Sequence, residues 1–438
     1  VNTKFQNEIA PWAQNEGKGG AFKESSAHGQ RATGLLIRAL RFYGNATGRD
    51  LINTEPGFNF VQQSIDYAIH STTPTMDSRY SYGDQPGTDH TGGLNDYSRE
   101  AVYEAALSVN DDTLKGRAQY LLNNMWPPIS SYDFEKVWEF QAYREGAPVI
   151  DYRTDGQNSI PTFHLVRGVG LALMRSGWTV SDTYVGLLAG NLSNMPHQQG
   201  DVNSFRISKG GRVLVTDANR FSASGIVAHS SAHSTMTFGG WEQTAFGADR
   251  RRPGEIIKFD SVPGEGGYSY VAGSAGDSYR QRDGSDPINE FIRKLAYLND
   301  IDTVVDYVRY DMANPSLTKE WRIHSDLAHP FTINENSYRF NNSPDGQEGY
   351  QVFGNCLLPA DVQITQEGDY YGRDGALSSH QLLEVIDNQE ARGNILNVLQ
   401  IAPMTEKKPL PTQVVKAGTY MEGAHVGDRV VLFGKSAE

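Results

Sequence analysis

Cysteine is almost absent from this sequence. Cys356 is the only one in 438 residues, so no internal disulfide can form and stability must come from a buried core. A lone cysteine of this kind reads as a small buried apolar residue. No apolar run approaches the ~20 residues that a membrane-spanning helix needs, and no membrane span is expected. Basic charge is also short, with 39 Lys and Arg against 52 Asp and Glu and a net charge of -13. That balance argues against a nucleic-acid partner, because phosphate neutralisation needs a basic surface. An anionic ligand fits only where positive charge is gathered locally. No signal-peptide pattern opens the chain, which starts abruptly at VNTKFQNEIAPW, so a preceding segment is expected to have been removed. Sequons at Asn45, Asn191 and Asn341 fit export as readily as chance, and the expected location is secreted or periplasmic.

The length predicts two or three domains. Hydrophobic spacing changes along the chain. From Arg31 to Tyr43, Leu35, Leu36, Ala39, Leu40 and Tyr43 fall on one helical stripe. Further helices are predicted over about 58–70, 95–109 and 113–126, with stops at Gly48 and at the WPP of 126–128. After about Ser159 the period becomes two, in short segments such as SFRISKGG, RVLVTDA and IDTVVDYVRYD separated by Gly, Asn and Asp turns. Closely spaced short strands favour antiparallel pairing, since parallel strands need crossover helices. The expected fold class is α+β and multidomain. Helical hairpins are expected over 1–155, an antiparallel β-sandwich over 156–348 and a smaller β-rich unit over 349–438.

Candidate site residues concentrate in HQQGDVNSFRISKGGRVLVTDANR, from His197 to Arg220, and in HSTM after it. His197, Asp217 and His233 are three polar, potentially ligating side chains on or beside neighbouring strands, where alternation alone would ask only for packing.

GVGLALMRSGW, HQQGDVNSF, GGRVLVTDA, HST and RKLAYLNDIDTVVDYV together resemble the sandwich domain of the heparinase II/III-like polysaccharide lyases. GGAFKESSAHG and RYSYGD resemble that family's G-G-x-x-E-G-x-x-Y segment and its loop ending in G-D. The resemblance implies that residues 1–155 form an incomplete (α/α) toroid, and it implies β-elimination on a uronic-acid polysaccharide such as alginate or a glycosaminoglycan. Such chemistry must neutralise the C6 carboxylate, supply a base for the C5 proton and supply an acid for the departing O4. His197 matches the first histidine of the family's H-x-H, and imidazole, with a pKa of about 6.5, exchanges protons near neutrality. The family's tyrosine position falls on His28. Tyr82 and Tyr80 are the alternative sources of a phenol, Glu24 an orienting carboxylate, and Arg31, one turn beyond His28, a ligand for the substrate carboxylate. Arg206, Arg212, Arg220 and Arg250 to Arg252 supply local positive charge, and Trp241 a sugar-stacking face.

Zinc is the one cofactor the resemblance brings, as a structural ion held by the second histidine of H-x-H, an aspartate and a further histidine. Here those positions are Gln199, Asp217 and His233, with His229 as a substitute ligand. The alternative is a hydrogen-bonded cluster doing the same bracing without metal. No organic cofactor is expected, and the partner is an anionic polysaccharide or oligosaccharide.

Two other readings stay open. Glu24 with Asp84 or Asp96 would make a glycosidase pair, and Gln199 and His28 in place of the family residues suit a glycan-binding protein without turnover. The family's carboxylate-neutralising Asn/His pair precedes the segment matching GGAFKESSAHG. The chain is therefore expected either to be part of a longer precursor that supplies an N-terminal segment, or to be a shortened relative that recruits Arg31.

Overall fold

The computed structural model describes residues 2–83, 92–93, 96–125, 139, 148–153, 159–190, 197–216, 229–243, 254–281, 283–326, 329–343, 349–370, 377–386 and 389–435. Helices occupy the first part and antiparallel strands the rest.

The principal helices are His28–Thr47, Phe60–Ser71, Asp96–Ser108 and Asp112–Asn124. The first ends where predicted, because Gly48 adopts φ 71°, a left-handed cap that a side chain resists. The last begins on Asp111, whose carboxylate accepts the Leu114 N–H at 3.0 Å. Helix Asp96–Ser108 packs against the other three. Glu100 and Glu104 on it are buried, and Arg38 and Arg41 of helix His28–Thr47 reach them at 2.7 to 2.8 Å. Ile37, Leu40, Val61, Ile65, Val102 and Leu121 fill the core among these helices.

A five-stranded antiparallel meander follows, from Phe163–Val166 to Arg212–Val215. A four-stranded sheet joins Gln363–Tyr370, Leu377–Ile386, Lys319–Asp326 and Met236–Phe238. The largest sheet has eight strands, ordered Thr332–Asn334, Ser337–Asn341, Tyr350–Leu358, Arg392–Pro403, Thr303–Met312, Ile288–Leu298, Tyr268–Ser274 and Glu255–Val262. Side chains from all three sheets share one core, with Val185 and Phe205 from the first, Trp321 and Leu382 from the second, and Leu295, Val308 and Ile395 from the third.

Strands from both sides of the boundary expected between 348 and 349 pair in one sheet. Strands Tyr350–Leu358 and Arg392–Pro403 lie inside the eight-stranded sheet, where Thr303 faces Gln400 and Tyr307 faces Leu396. Among the described strands after residue 348, only Thr412–Ala417, Met421–Val426 and Arg429–Gly434 form a separate small sheet. It lays Ala424, Val426 and Phe433 on Leu298, Val305, Tyr307 and Val398 of the large one.

The helical part meets the meander through a third core, in which Tyr67, Tyr80 and Tyr82 pack on Val166, Leu171, Leu173 and Tyr184. Arg175 and Trp178 serve packing there. The Arg175 guanidinium lies over the Trp178 and Tyr184 rings at 4.5 and 4.3 Å, and its Nη2 donates to the His70 carbonyl at 2.8 Å.

Candidate active site

His28 opens its helix, and His197 follows the meander's third strand in the chain. Their rings stack face to face, with centroids 3.9 Å apart and planes 9° from parallel. Both are only partly buried. Two segments distant in the chain, one from the helical part and one from a loop between strands, thus place their imidazoles in contact at a surface that solute can reach.

The backbone on both sides of the stack is bent to achieve this. Ser25 has φ 106° and His197 φ 67°, left-handed values that cost a non-glycine residue roughly 1–3 kcal/mol and gather at functional sites. Ser25 Oγ accepts the His28 N–H at 3.3 Å. Gly83 closes the arrangement: at φ +63°, a Cβ there would lie 2.4 Å from the His197 carbonyl oxygen and 2.9 Å from Ser25 Cβ. Its N–H donates to Asp201 Oδ2 at 3.2 Å, and Gln198 Nε2 donates to the Lys23 carbonyl at 2.7 Å. A small pocket beside the stack is lined by Lys23, Tyr82, Gly83, Gln198 and Asp201. Burial pulls the Lys23 ammonium pKa down, and Glu16, 3.6 Å away, works against that shift.

Arg31 lies three residues beyond His28 on the same helix, half-buried, with its guanidinium 4.7 Å above the Tyr97 ring. Glu24, also half-buried, sits in the loop leading to His28.

Tyr82 does not fit the role of a base. Its hydroxyl is buried and donates to the Phe22 carbonyl at 2.7 Å. Burial, with Tyr67 beside it, pushes its pKa well above the usual phenol value. Tyr80 and Arg206 come together, with the Arg206 guanidinium 5.4 Å from the Tyr80 ring, but both are buried in a different recess shared with Arg79 and Arg212. Trp241 lines a third, open concavity together with Glu242 and Asp283, whose charge opposes an anionic glycan. Asp84, Asp217, Arg220 and Arg250 to Arg252 lie outside the described residues, as does the WPP of 126–128; the side chain of Asp96 is likewise not described.

Gln199 and His233 are fully buried. His229 stands apart from a buried metal position: its side chain is 51% exposed and faces Glu242 at 3.9 Å. Gln199 offers only an amide oxygen where zinc takes imidazole, thiolate or carboxylate. Among the described residues no three His, Cys, Asp or Glu side chains gather around a metal-sized space. Asp217, one of the three expected ligands, lies outside the described residues, and no chemical step is routed through a metal. A histidine that sequence reasoning passed over, His324, is fully buried near His233. Its N–H donates to Ser234 Oγ at 3.2 Å, and that hydroxyl donates to the Thr216 carbonyl at 2.7 Å. Only its place in the strand KEWRIHSD marks it in the sequence. Lys23, Gln198 and Asp201 were also missed, because in loops such residues read as solvated.

No family model and no curated protein matches the chain. Solved structures do. Heparan sulfate lyase HepC from Pedobacter heparinus aligns with 99% of this chain at a TM-score of 0.69 and 14% identity, over 61% of its own length. Heparinase III aligns with 99% of the chain at 0.67 and 14% identity, over 62% of its length. The chain thus spans about three-fifths of the length of the solved structures it matches. At such identities the likeness speaks to architecture, and the chain carries the fold of the heparan sulfate lyases.

Proposed function

We propose that the protein is a polysaccharide lyase that cleaves a uronate-containing glycan by β-elimination. The observation that carries this reading is the His28–His197 stack, which supplies two proton-exchanging groups in contact at a partly open surface. The heparan sulfate lyase fold supports the substrate class.

In this reading neutral His28 takes the C5 proton. The electron pair of the broken C5–H bond becomes the C4–C5 double bond, the C4–O bond breaks, and the departing oxygen takes a proton from His197. The pair thereby ends with its protons exchanged, and solvent resets it. Arg31 stands against the C6 carboxylate, where a guanidinium fork matches two carboxylate oxygens and makes C5 more acidic. Its seat over Tyr97 restricts the side chain. Glu24 orients this group of residues.

Incubation with alginate, hyaluronan, chondroitin and heparan sulfate, followed by ultraviolet absorbance of the unsaturated product, tests the reading. Absorbance should grow with at least one polymer, and His197→Ala should lower the rate by about 10²-fold or more, the usual contribution of a general acid or base. Saturated products would assign a hydrolase instead, and binding without any product a glycan-binding protein.

A further inference from the structure

The concavity at Trp241 is built from two turns. Strand Met236–Phe238 ends in Gly239 and Gly240, with φ 57° and 79°, and the Trp241 N–H closes that turn on the Phe238 carbonyl at 3.0 Å. In the second turn, Gln281 N–H donates to the Ser285 carbonyl at 2.9 Å and Gly284 N–H to the Gln281 carbonyl at 3.1 Å. Gln281 Nε2 ties the turns together by donating to the Glu242 carbonyl at 3.1 Å. The space that they line is open and measures about 640 Å³, within the roughly 300–1,000 Å³ of small-molecule sites.

A pyranose ring has an apolar C–H face and a rim of hydroxyl donors. The half-buried Trp241 indole offers a large, stiff surface to the first, and carboxylates, which only accept, suit the second. Both carboxylates of the lining are held by their own loops. Glu242 Oε2 accepts the Ser231 N–H at 3.2 Å, and Asp283 Oδ1 accepts the N–H of Ser285 at 2.9 Å and its hydroxyl as well. Each carboxylate has about four acceptor positions, so these bonds leave others for a ligand. Glu242 and Asp283 are the charged groups among the described lining residues, and Arg282 lies outside the described residues. A sugar acid would set its own carboxylate against these two, a like-charge contact that disfavours binding, whereas hydroxyls or an ammonium would not.

We propose that this concavity binds a pyranose residue that carries no acidic group, stacked on Trp241 and hydrogen-bonded to Glu242 and Asp283. The site owes nothing to the elimination chemistry, since neither His28 nor His197 lines it.

Tryptophan fluorescence of the full chain at pH 6 tests it, with a glucose trisaccharide, a glucosamine trisaccharide with free amines and a galacturonate trisaccharide as probes. The chain has six tryptophans, so the signal of this site is the part of the emission change that Trp241→Phe removes. Titrations are run in the His197→Ala background as well, which keeps the uronate probe intact if the protein is a lyase. The glucose and glucosamine probes should each give a saturable Trp241-dependent change, and galacturonate should bind about tenfold or more weakly by the same signal. Glu242→Gln combined with Asp283→Asn, which alters a half-buried and an exposed side chain, should narrow that gap while circular dichroism stays unchanged. No saturable Trp241-dependent change with the glucose or the glucosamine probe, galacturonate binding as tightly as they do, or a gap that the folded double variant leaves unchanged overturns the proposal, whether or not the protein proves to be a lyase.

Discussion

At the scale of single residues, the histidine stack depends on a glycine. Gly83 leaves room for the His197 carbonyl and takes a left-handed φ. Gly83→Ala must therefore push His197 or Ser25 aside or distort its own backbone. We expect a stability loss of roughly 1–3 kcal/mol and a fall of at least about tenfold in kcat with KM little changed, because the imidazole moves while the glycan subsites stay. Steady-state kinetics on whichever uronate polymer is cleaved checks this, and a variant with wild-type kcat would show that His197 needs no such fixed seat. His28 and His197 were legible beforehand because each stands at a defined place in a motif. The positions of Tyr80 and Arg206 were not, since local sequence does not say which side of a loop or strand faces which recess.

At the scale of elements, the contact between helix Phe60–Ser71 and strand Phe163–Val166 carries a second histidine pair. His70 and His164 stack at 4.7 Å and 13°, with Trp178 edge-on to His70 at 5.2 Å. Burial, then the neighbouring His164, Arg175 and Arg117 charges, hold the His70 pKa well below its usual value, and burial lowers that of His164 to about 4. The folded pair is neutral, whereas the unfolded chain binds protons on both rings below about pH 6.5. Their contribution is thus complete above about pH 6.5 and is lost as the pH falls toward 4, by roughly 3 kcal/mol for His164 at 1.36 kcal/mol per unit. Buried Glu384, whose pKa burial raises to about 8, works with the opposite sign, its contribution declining as the pH rises from about 4.5 to 8. Thermal unfolding between pH 7 and 4.5 should show the wild-type Tm dropping, and His70→Gln with His164→Gln should flatten the drop. An equally steep drop in that double variant would place the acid sensitivity elsewhere. The helices themselves were readable from the apolar stripe and Gly48, and the strands from their alternation. The order of strands was not, because pairing joins residues such as Thr303 and Gln400 that are far apart in the chain.

At the scale of the molecule, the small C-terminal sheet acts as a cover. Phe433 is buried and stacks on Tyr307 at 5.0 Å, and Glu422 accepts the Tyr307 hydroxyl at 2.9 Å. Phe433→Ala should cost about 3–5 kcal/mol, as truncation of a buried phenylalanine does, and should bare part of an apolar sheet face. Urea denaturation checks the first expectation and light scattering the second. A loss below about 1 kcal/mol would mean that the cover contributes little to the sheet beneath it. The helix-to-strand division of the chain was legible from the change of period, whereas the extent of the large sheet was not, since Arg392–Pro403 looks in isolation like any other strand.

That strand sets an order of events during synthesis. Arg392–Pro403 sits between Thr303–Met312 and Tyr350–Leu358. Until it has left the ribosome, the nascent large sheet is two separate pieces, each with an apolar face and a row of unfilled backbone hydrogen-bonding groups at its edge. Such edges are templates for pairing with other chains, and closing a long loop is a slow step. The interval between emergence of residue 312 and residue 403 is therefore when a newborn chain is most exposed to aggregation and has most need of a chaperone.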